Sequence, residues 1–134
     1  MDLDYSIFTR SMYPRLSKRC HKLLKDLSCK KVRLTKTGCK RMAAVDYFKK
    51  VLNANETDWV INIDEDAFVF DVKRMMNLME YMKANEYHIC GMPDGGVIPV
   101  RVGNPVTINP FFNIINTKFT SQIPETDIGK KDLW

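Results

Sequence analysis

Three consecutive acidic residues follow an apolar run near the middle of the chain. The run covers residues 59 to 63 (W-V-I-N-I), and Asp64, Glu65 and Asp66 come directly after it. Such a run predicts a strand that is buried on both faces. If the backbone stays extended, Asp64 and Asp66 project to one side and Glu65 to the other. Because hard carboxylate oxygens suit Mg²⁺ or Mn²⁺, we predict a metal site at Asp64 and Asp66, at the end of a strand where open α/β sheets bind ligands.

The same acidic cluster has an alternative explanation. Acid triplets are common in solvated turns, and Asp71 stands just before an apolar-periodic segment, where it makes a good helix N-cap. From the residues alone, both the metal site and the solvated turn stay open.

A second group of residues indicates phosphate binding. Gly38 lies in a turn before a predicted helix, with Lys36 and Arg41 close by in the sequence. Backbone N–H groups at a helix N-terminus favour anions, so this turn is a candidate phosphate cradle. A single glycine also serves simply to open a turn, and that alternative stays open.

The composition predicts one globular domain over residues 1–134, with 45% hydrophobic and 28% charged residues. We find no apolar run long enough to span a membrane and no signal peptide, so we expect an intracellular, cytoplasmic protein. The cysteines include no C-x-x-C pair, which predicts reduced thiols. A zinc site would need a set whose spacing fits no familiar pattern: Cys20, His21, Cys29 and Cys39.

Positive charge is concentrated in the first part of the chain. Residues 1 to 50 hold 14 Lys or Arg against 4 Asp or Glu, whereas residues 51 to 134 hold 7 against 12. This asymmetry is typical of proteins with a polyanionic partner such as a nucleotide, a nucleic acid or an anionic lipid, although exposed Lys and Arg are often only solvated surface.

Hydrophobic periodicity predicts the elements that must position these residues. The order is β-α-β-α-β-acids-α-β-loop-β, which predicts an α/β fold with a mostly parallel, Rossmann-like open sheet and helices on both faces. A methionine stripe in the third helix is expected to be core. The predicted strands and helices are, in order, 4–11, 16–27, 31–35, 39–53, 59–63, 72–82, 87–92 and 107–117.

In this context the chain resembles the nucleotide-binding half of a GT-A type glycosyltransferase, of the nucleotide-diphospho-sugar transferase superfamily. Three features carry the resemblance over residues 4 to 118: the D-x-D of Asp64, Glu65 and Asp66 after two β-α units, the P-D-G-G loop at 93–96, and N-P-F-F-N-I-I-N at 109–116. Only the D-x-D, combined with this element order, is diagnostic. The resemblance implies transfer of a sugar from a UDP- or GDP-sugar to a glycan or lipid-linked acceptor, as in polysaccharide biosynthesis.

The resemblance also implies roles for individual residues. Asp64 and Asp66 would hold Mn²⁺ or Mg²⁺ against the donor diphosphate, and Glu65 would orient the ribose or the sugar. Thr9 and Arg10 would lie near the base.

Two further positions follow from the same resemblance and its chemistry. The turn from Gly38 to Arg41 would lie near the ribose or the phosphates, where Lys36 and Arg41 would add to the stabilisation of the departing phosphate. Asp94 is a candidate acceptor-side base, with a turn-forming Asp before Gly-Gly as the alternative.

Members of this family are generally longer and have a C-terminal portion that shapes the acceptor site. We therefore expect a truncated domain, one with a very small acceptor site, or a degenerate one whose donor half binds without turnover. The rival functions are a non-catalytic nucleotide- or polyanion-binding domain and a phosphatase resembling the haloacid-dehalogenase group, whose D-x-D also ends a buried strand. No nucleic-acid motif is present, so we expect no nucleic-acid partner, whereas the basic half could contact a membrane surface peripherally.

Overall fold

The computed structural model describes residues 3–35, 44–93 and 108–120 of the chain. The four helices in these residues are α1 (Pro14–Leu23), α2 (Ala44–Ala54), α3 (Val72–Ala84) and the short α4 (Thr117–Thr120). The five strands are β1 (Tyr5–Ser11), β2 (Lys30–Thr35), β3 (Trp59–Ile63), β4 (Ile89–Pro93) and β5 (Ile108–Asn116). No helix in these three ranges is both long and apolar enough to cross a membrane.

The strands form one sheet in the order β2-β1-β3-β5-β4. The pairs β1–β2 and β1–β3 are parallel, and the pairs β3–β5 and β4–β5 are antiparallel. The prediction of a mostly parallel, Rossmann-like open sheet is therefore wrong, because the sheet is mixed.

The error has one physical source, which is the last strand. β5 runs against its neighbours and lies between β3 and β4, so two of the four pairings become antiparallel. The apolar pattern of β5 marks it as a strand but carries no information about its direction, since side chains alternate in the same way in both pairings.

Two hydrophobic clusters cover the two faces of the sheet. On one face, α1 and α3 pack on β1, β3 and β5 through a cluster that includes Cys20, Met79, Ile7 and Ile61. On the other face, α2 packs on β1 and β3 through Tyr47, Val51, Phe8 and Val60. Neighbouring residues of β1 and β3 thus alternate between the two clusters, as expected for strands.

The central strand and the methionine helix are as predicted. All five residues of β3 are buried. In α3, Met75, Met79 and Met82 are buried, which confirms the methionine stripe as core. The side chain of Asp71 accepts a hydrogen bond of 2.8 Å from the backbone N–H of Arg74, which confirms Asp71 as the N-cap of α3.

Glycine is required at one position in the sheet. A Cβ on Gly91 of β4 would lie 2.5 Å from Cγ2 of Ile108, 2.8 Å from the carbonyl oxygen of Phe112 and 2.9 Å from Cβ of Asn113. The close approach of β5 to β4 at this point thus depends on the missing side chain.

Candidate functional site

The acidic cluster lies where β1 and β3 end side by side. These strands are parallel and pair Phe8 with Asn62, so the next pair on the same face is Arg10 and Asp64. Their side chains meet, with 3.4 Å between Nη2 of Arg10 and Oδ2 of Asp64, and each is 22% exposed. The predicted acidic residue thus lies beside the predicted basic residue of β1, at the carboxyl edge of the sheet.

The backbone turns directly after Asp64. The N–H of Ala67 donates to the carbonyl oxygen of Asp64 at 3.0 Å, and the N–H of Asp64 donates to the carbonyl oxygen of Phe111 at 2.8 Å. The extended backbone assumed from the sequence does not occur here. The three acidic side chains differ in burial: Asp64 is half-buried, Asp66 is exposed and Glu65 is buried.

Glu65 connects this turn to the start of α1. Its Oε2 accepts hydrogen bonds from the backbone N–H groups of Met12 at 2.7 Å and Tyr13 at 2.6 Å, and the residue is 5% exposed. Tyr13 is the N-cap of α1 and makes no side-chain capping bond, so Glu65 supplies the anionic acceptor that a helix N-terminus favours. The structure therefore gives this carboxylate backbone partners and a positioning role.

Cys20 of α1 holds the other end of the turn. Its thiol donates to the carbonyl oxygen of Ala67, with 3.0 Å between sulfur and oxygen. Burial, and after it the nearby negative charges of Asp66 and Asp64, raise the pKa of this thiol to about 11. Cys20 is thus a protonated donor at neutral pH, and the acidic turn is fixed to α1 at both ends.

The surroundings of Asp64 on balance disfavour the ionised form of its carboxyl group. Burial raises the pKa of its carboxyl group; Arg10 and the backbone N–H of Glu65 act in the opposite direction, and the negative charge of Asp66 raises it again. The balance is a pKa above the ordinary value, despite the neighbouring guanidinium group. A divalent cation would lower the cost of ionising this group, because an opposite charge nearby favours the charged form.

The donor set fits a cation that shares its coordination with a ligand. In the part of the chain that the structure describes, no group of three or more His, Cys, Asp or Glu residues is arranged to enclose a metal. Mg²⁺ typically takes one or two protein carboxylates and completes its shell with water and phosphate oxygens. Asp64, half-buried, and Asp66, exposed, are two carboxylates within electrostatic range of each other, which is the number of protein ligands such a cation would use.

Thr9 and Arg10 lie on opposite faces of β1. The Thr9 side chain is fully buried, and its Oγ1 lies 2.9 Å from Nε2 of His21 on α1. The structure therefore does not bring the Thr9 hydroxyl to the surface that holds Arg10 and Asp64. The remaining predicted site residues lie outside the described residues: Lys36, Gly38, Arg41 and Asp94.

Polar residues that we did not predict lie next to the charged pair. The hydroxyl of Tyr47 donates to Oδ1 of Asn62 at 2.6 Å, and both residues are buried. Burial raises the pKa of Tyr47, as does the charge of Asp64, whereas Arg10 lowers it, so the phenol lies within electrostatic range of both. The sequence could have identified Asn62, because it is the one polar residue in the apolar run W-V-I-N-I.

Asn62 also continues into β5. It pairs across the antiparallel ladder with Asn113, which is buried. In the described residues Oδ1 of Asn113 has no hydrogen-bond partner. The carboxyl half of β3 thus carries a buried polar row beside the charged pair of Arg10 and Asp64.

Comparison with known proteins identifies a similar fold. No family model matches the chain, and no curated protein matches it in sequence. Among solved structures, the crystal structure of A197 from STIV is similar, with a TM-score of 0.58 and 17% sequence identity. The match covers 92% of this chain and 70% of A197. At this identity the similarity concerns the fold alone.

Proposed function

We propose that this chain binds a nucleotide-diphospho-sugar through a divalent cation held by Asp64 and Asp66, as the donor domain of a glycosyltransferase. The observation that supports the proposal best is the placement of both aspartates in a fixed turn at the carboxyl edge of the sheet. That edge is where α/β folds bind nucleotides. The raised pKa of Asp64 supports it further, because burial opposes ionisation of this carboxyl group more than Arg10 favours it, and a bound cation would favour the ionised form.

Arg10 has a defined part in this proposal. Its guanidinium group lies 3.4 Å from Asp64, so a diphosphate brought to the aspartates would meet a positive charge that is already in place. Arg binds phosphate oxygens well because its planar fork of N–H donors matches them. We expect Arg10 to share Asp64 with the cation and to hold a phosphate oxygen with its remaining donors.

The chemistry of transfer requires charge stabilisation at the same point. Breaking the bond between the anomeric carbon and the diphosphate leaves negative charge on the departing phosphate. A bound Mn²⁺ or Mg²⁺ would stabilise that charge. Two contacts hold the turn against α1: Glu65 accepts from the backbone N–H groups of Met12 and Tyr13, and the Cys20 thiol donates to the carbonyl oxygen of Ala67.

The test is calorimetric titration of UDP and then GDP into the chain, with Mn²⁺ and again with EDTA. We expect one nucleotide to bind only with Mn²⁺, and Asp64→Asn or Asp66→Asn to abolish that binding. Asp26→Asn is the matched control, since Asp26 is an exposed acidic residue on the turn after α1. Retained affinity in both site variants would overturn the assignment of these residues.

A second candidate function is a non-catalytic domain that binds nucleotides or other polyanions. The basic surface of the first 35 residues favours it. Binding that is strongly salt-dependent and indifferent to EDTA would support this candidate over the transferase. A phosphatase is the third candidate, and release of phosphate from a phosphomonoester with Mg²⁺ would support it.

A further inference from the structure

One face of α1 is strongly basic. Five residues of the helix and the turn that follows it are exposed and positively charged: Arg15, Lys18, Arg19, Lys22 and Lys25. At 3.6 residues per turn they fall within an arc of about 120°. The opposite side of the helix carries the buried residues Ser17, Cys20 and Leu24. The charge is therefore confined to the side that faces away from the sheet.

The charged surface continues onto the edge strand β2. His21 of α1 has a lowered pKa, mainly because of burial and then because of the positive charges of Arg33 and Lys31. The contacts place both residues beside α1. Arg33 pairs with Thr9, whose hydroxyl oxygen lies 2.9 Å from Nε2 of His21, and Lys31 donates to the carbonyl oxygen of Leu27, just after the helix. β2 is an end strand of the described sheet. We call the combined surface the basic face; it consists of Arg15, Lys18, Arg19, Lys22, Lys25, Lys31 and Arg33.

Little negative charge lies near the basic face. Between residues 14 and 35 the sequence has one acidic residue, Asp26. The ion pairs of the described residues join Arg10 to Asp64, Lys30 to Glu56 and Lys118 to Asp58, and none includes a member of the basic face. Lys31 donates a hydrogen bond to the carbonyl oxygen of Leu27, but the basic face as a whole keeps an excess of positive charge, which favours an external anionic partner.

Two exposed apolar side chains lie at the ends of α1. Tyr13 precedes the helix and is 63% exposed, and Leu23 ends it and is 37% exposed. Tyrosine is enriched where proteins meet the headgroup region of a bilayer, because one end of the ring is apolar and the other is polar. Basic residues together with such side chains are typical of surfaces that lie on anionic membranes.

We propose that the basic face binds the surface of an anionic lipid bilayer. The charges are spread along the outside of one helix and the adjoining strand edge, which suits a planar anionic surface. Single-stranded nucleic acid is usually bound on aromatic stacking platforms, whereas α1 and β2 contain no Phe, Tyr or Trp, and Tyr13 lies just before the first residue of α1. Each basic side chain near an anionic bilayer strengthens binding by about fivefold.

The orientation that follows brings the candidate site close to the membrane. α1 begins at Pro14, directly after the Tyr13 N–H that donates to Glu65. A ten-residue helix is about 15 Å long, so the site and the basic face lie within one helix length of each other. A lipid-linked acceptor would then be within reach of the aspartates; only this last step rests on the proposed function.

The test is co-sedimentation of the purified chain with vesicles of phosphatidylcholine alone or of equal parts phosphatidylcholine and phosphatidylglycerol, at low and high salt, without metal or nucleotide. We expect binding only to the anionic vesicles, weakened by salt. Lys18→Gln with Lys22→Gln should reduce the affinity about thirtyfold. Lys49→Gln with Lys50→Gln is the matched control, because it removes the same charge from α2 on the other face of the sheet.

Three results would overturn the proposal. The first is no binding to anionic vesicles by a chain that circular dichroism shows to be folded. The second is an equal loss in the α1 and α2 variants, which would indicate a response to net charge alone. The third is tighter binding to single-stranded DNA than to the vesicles at the same salt. The nucleotide titration changes none of these outcomes, so failure of the proposed function and failure of this proposal remain distinguishable.

Discussion

Replacing Glu65 tests whether this residue mainly stabilises the start of α1 or instead binds the donor. The carboxylate is buried and accepts two short hydrogen bonds, from the N–H groups of Met12 and Tyr13 at the start of α1. Glu65→Ala would remove the carboxylate acceptor of both N–H groups, at about 1 to 3 kcal/mol each. We therefore expect a loss of about 3 to 5 kcal/mol in the free energy of unfolding. Glu65→Gln keeps an acceptor oxygen and loses only the charge, so we expect about 1 to 2 kcal/mol.

Urea denaturation followed by circular dichroism measures both variants. With a slope of about 2 kcal/mol per molar, the Ala variant should unfold about 1.5 to 2.5 M earlier in urea than the wild type. Glu56→Gln is the control, because the Glu56 side chain is 81% exposed and is paired only with Lys30 at the surface. An unfolding midpoint for Glu65→Ala within the error of the control would refute the positioning role. A stable Glu65→Gln variant that had lost nucleotide affinity would instead support the ribose contact implied by the family resemblance.

Three further predictions concern the residues around the site and use the same urea assay. Asp64→Asn should stabilise the metal-free chain at neutral pH, because the raised pKa of Asp64 means that ionisation of this group opposes folding. The gain in stability should vanish below the ordinary carboxyl pKa of 3.8. Destabilisation at neutral pH would contradict the direction assigned to the pKa shift. Gly91→Ala should cost about 2 to 4 kcal/mol, because the new methyl group would overlap Ile108 and backbone; a neutral effect would mean that β4 and β5 can separate at no cost. Tyr47→Phe should cost about 1 to 3 kcal/mol by removing the hydroxyl donor from buried Asn62, and an unchanged midpoint would show that this hydrogen bond has no net effect.

The elements were largely predictable from the sequence because their signals are local. The apolar run of β3 and the methionine spacing of α3 are determined by burial, which periodicity reports directly. Asp71 as an N-cap depends only on residues of its own helix. In each case the physical cause and the sequence pattern lie within the same few residues.

The parts that were wrong or missed depend on distant contacts. The direction of β5 is decided by its pairing with β3 and β4, which residue alternation does not encode. The burial of Glu65 depends on backbone N–H groups more than fifty positions earlier in the chain. Thr9 and Arg10 are adjacent in sequence, yet their side chains lie on opposite faces of β1, where Thr9 contacts His21 and Arg10 contacts Asp64.

The insertion of β5 between β3 and β4 has a consequence for synthesis on the ribosome. β3 emerges early and pairs with β1 on one side, but its other edge is covered only when residues 108–116 have been made. Until then an apolar strand presents free N–H and C=O groups, which is the surface that promotes aggregation between chains. Nascent chains that stop between β4 and β5 should therefore be captured by chaperones, and completion of β5 should release them.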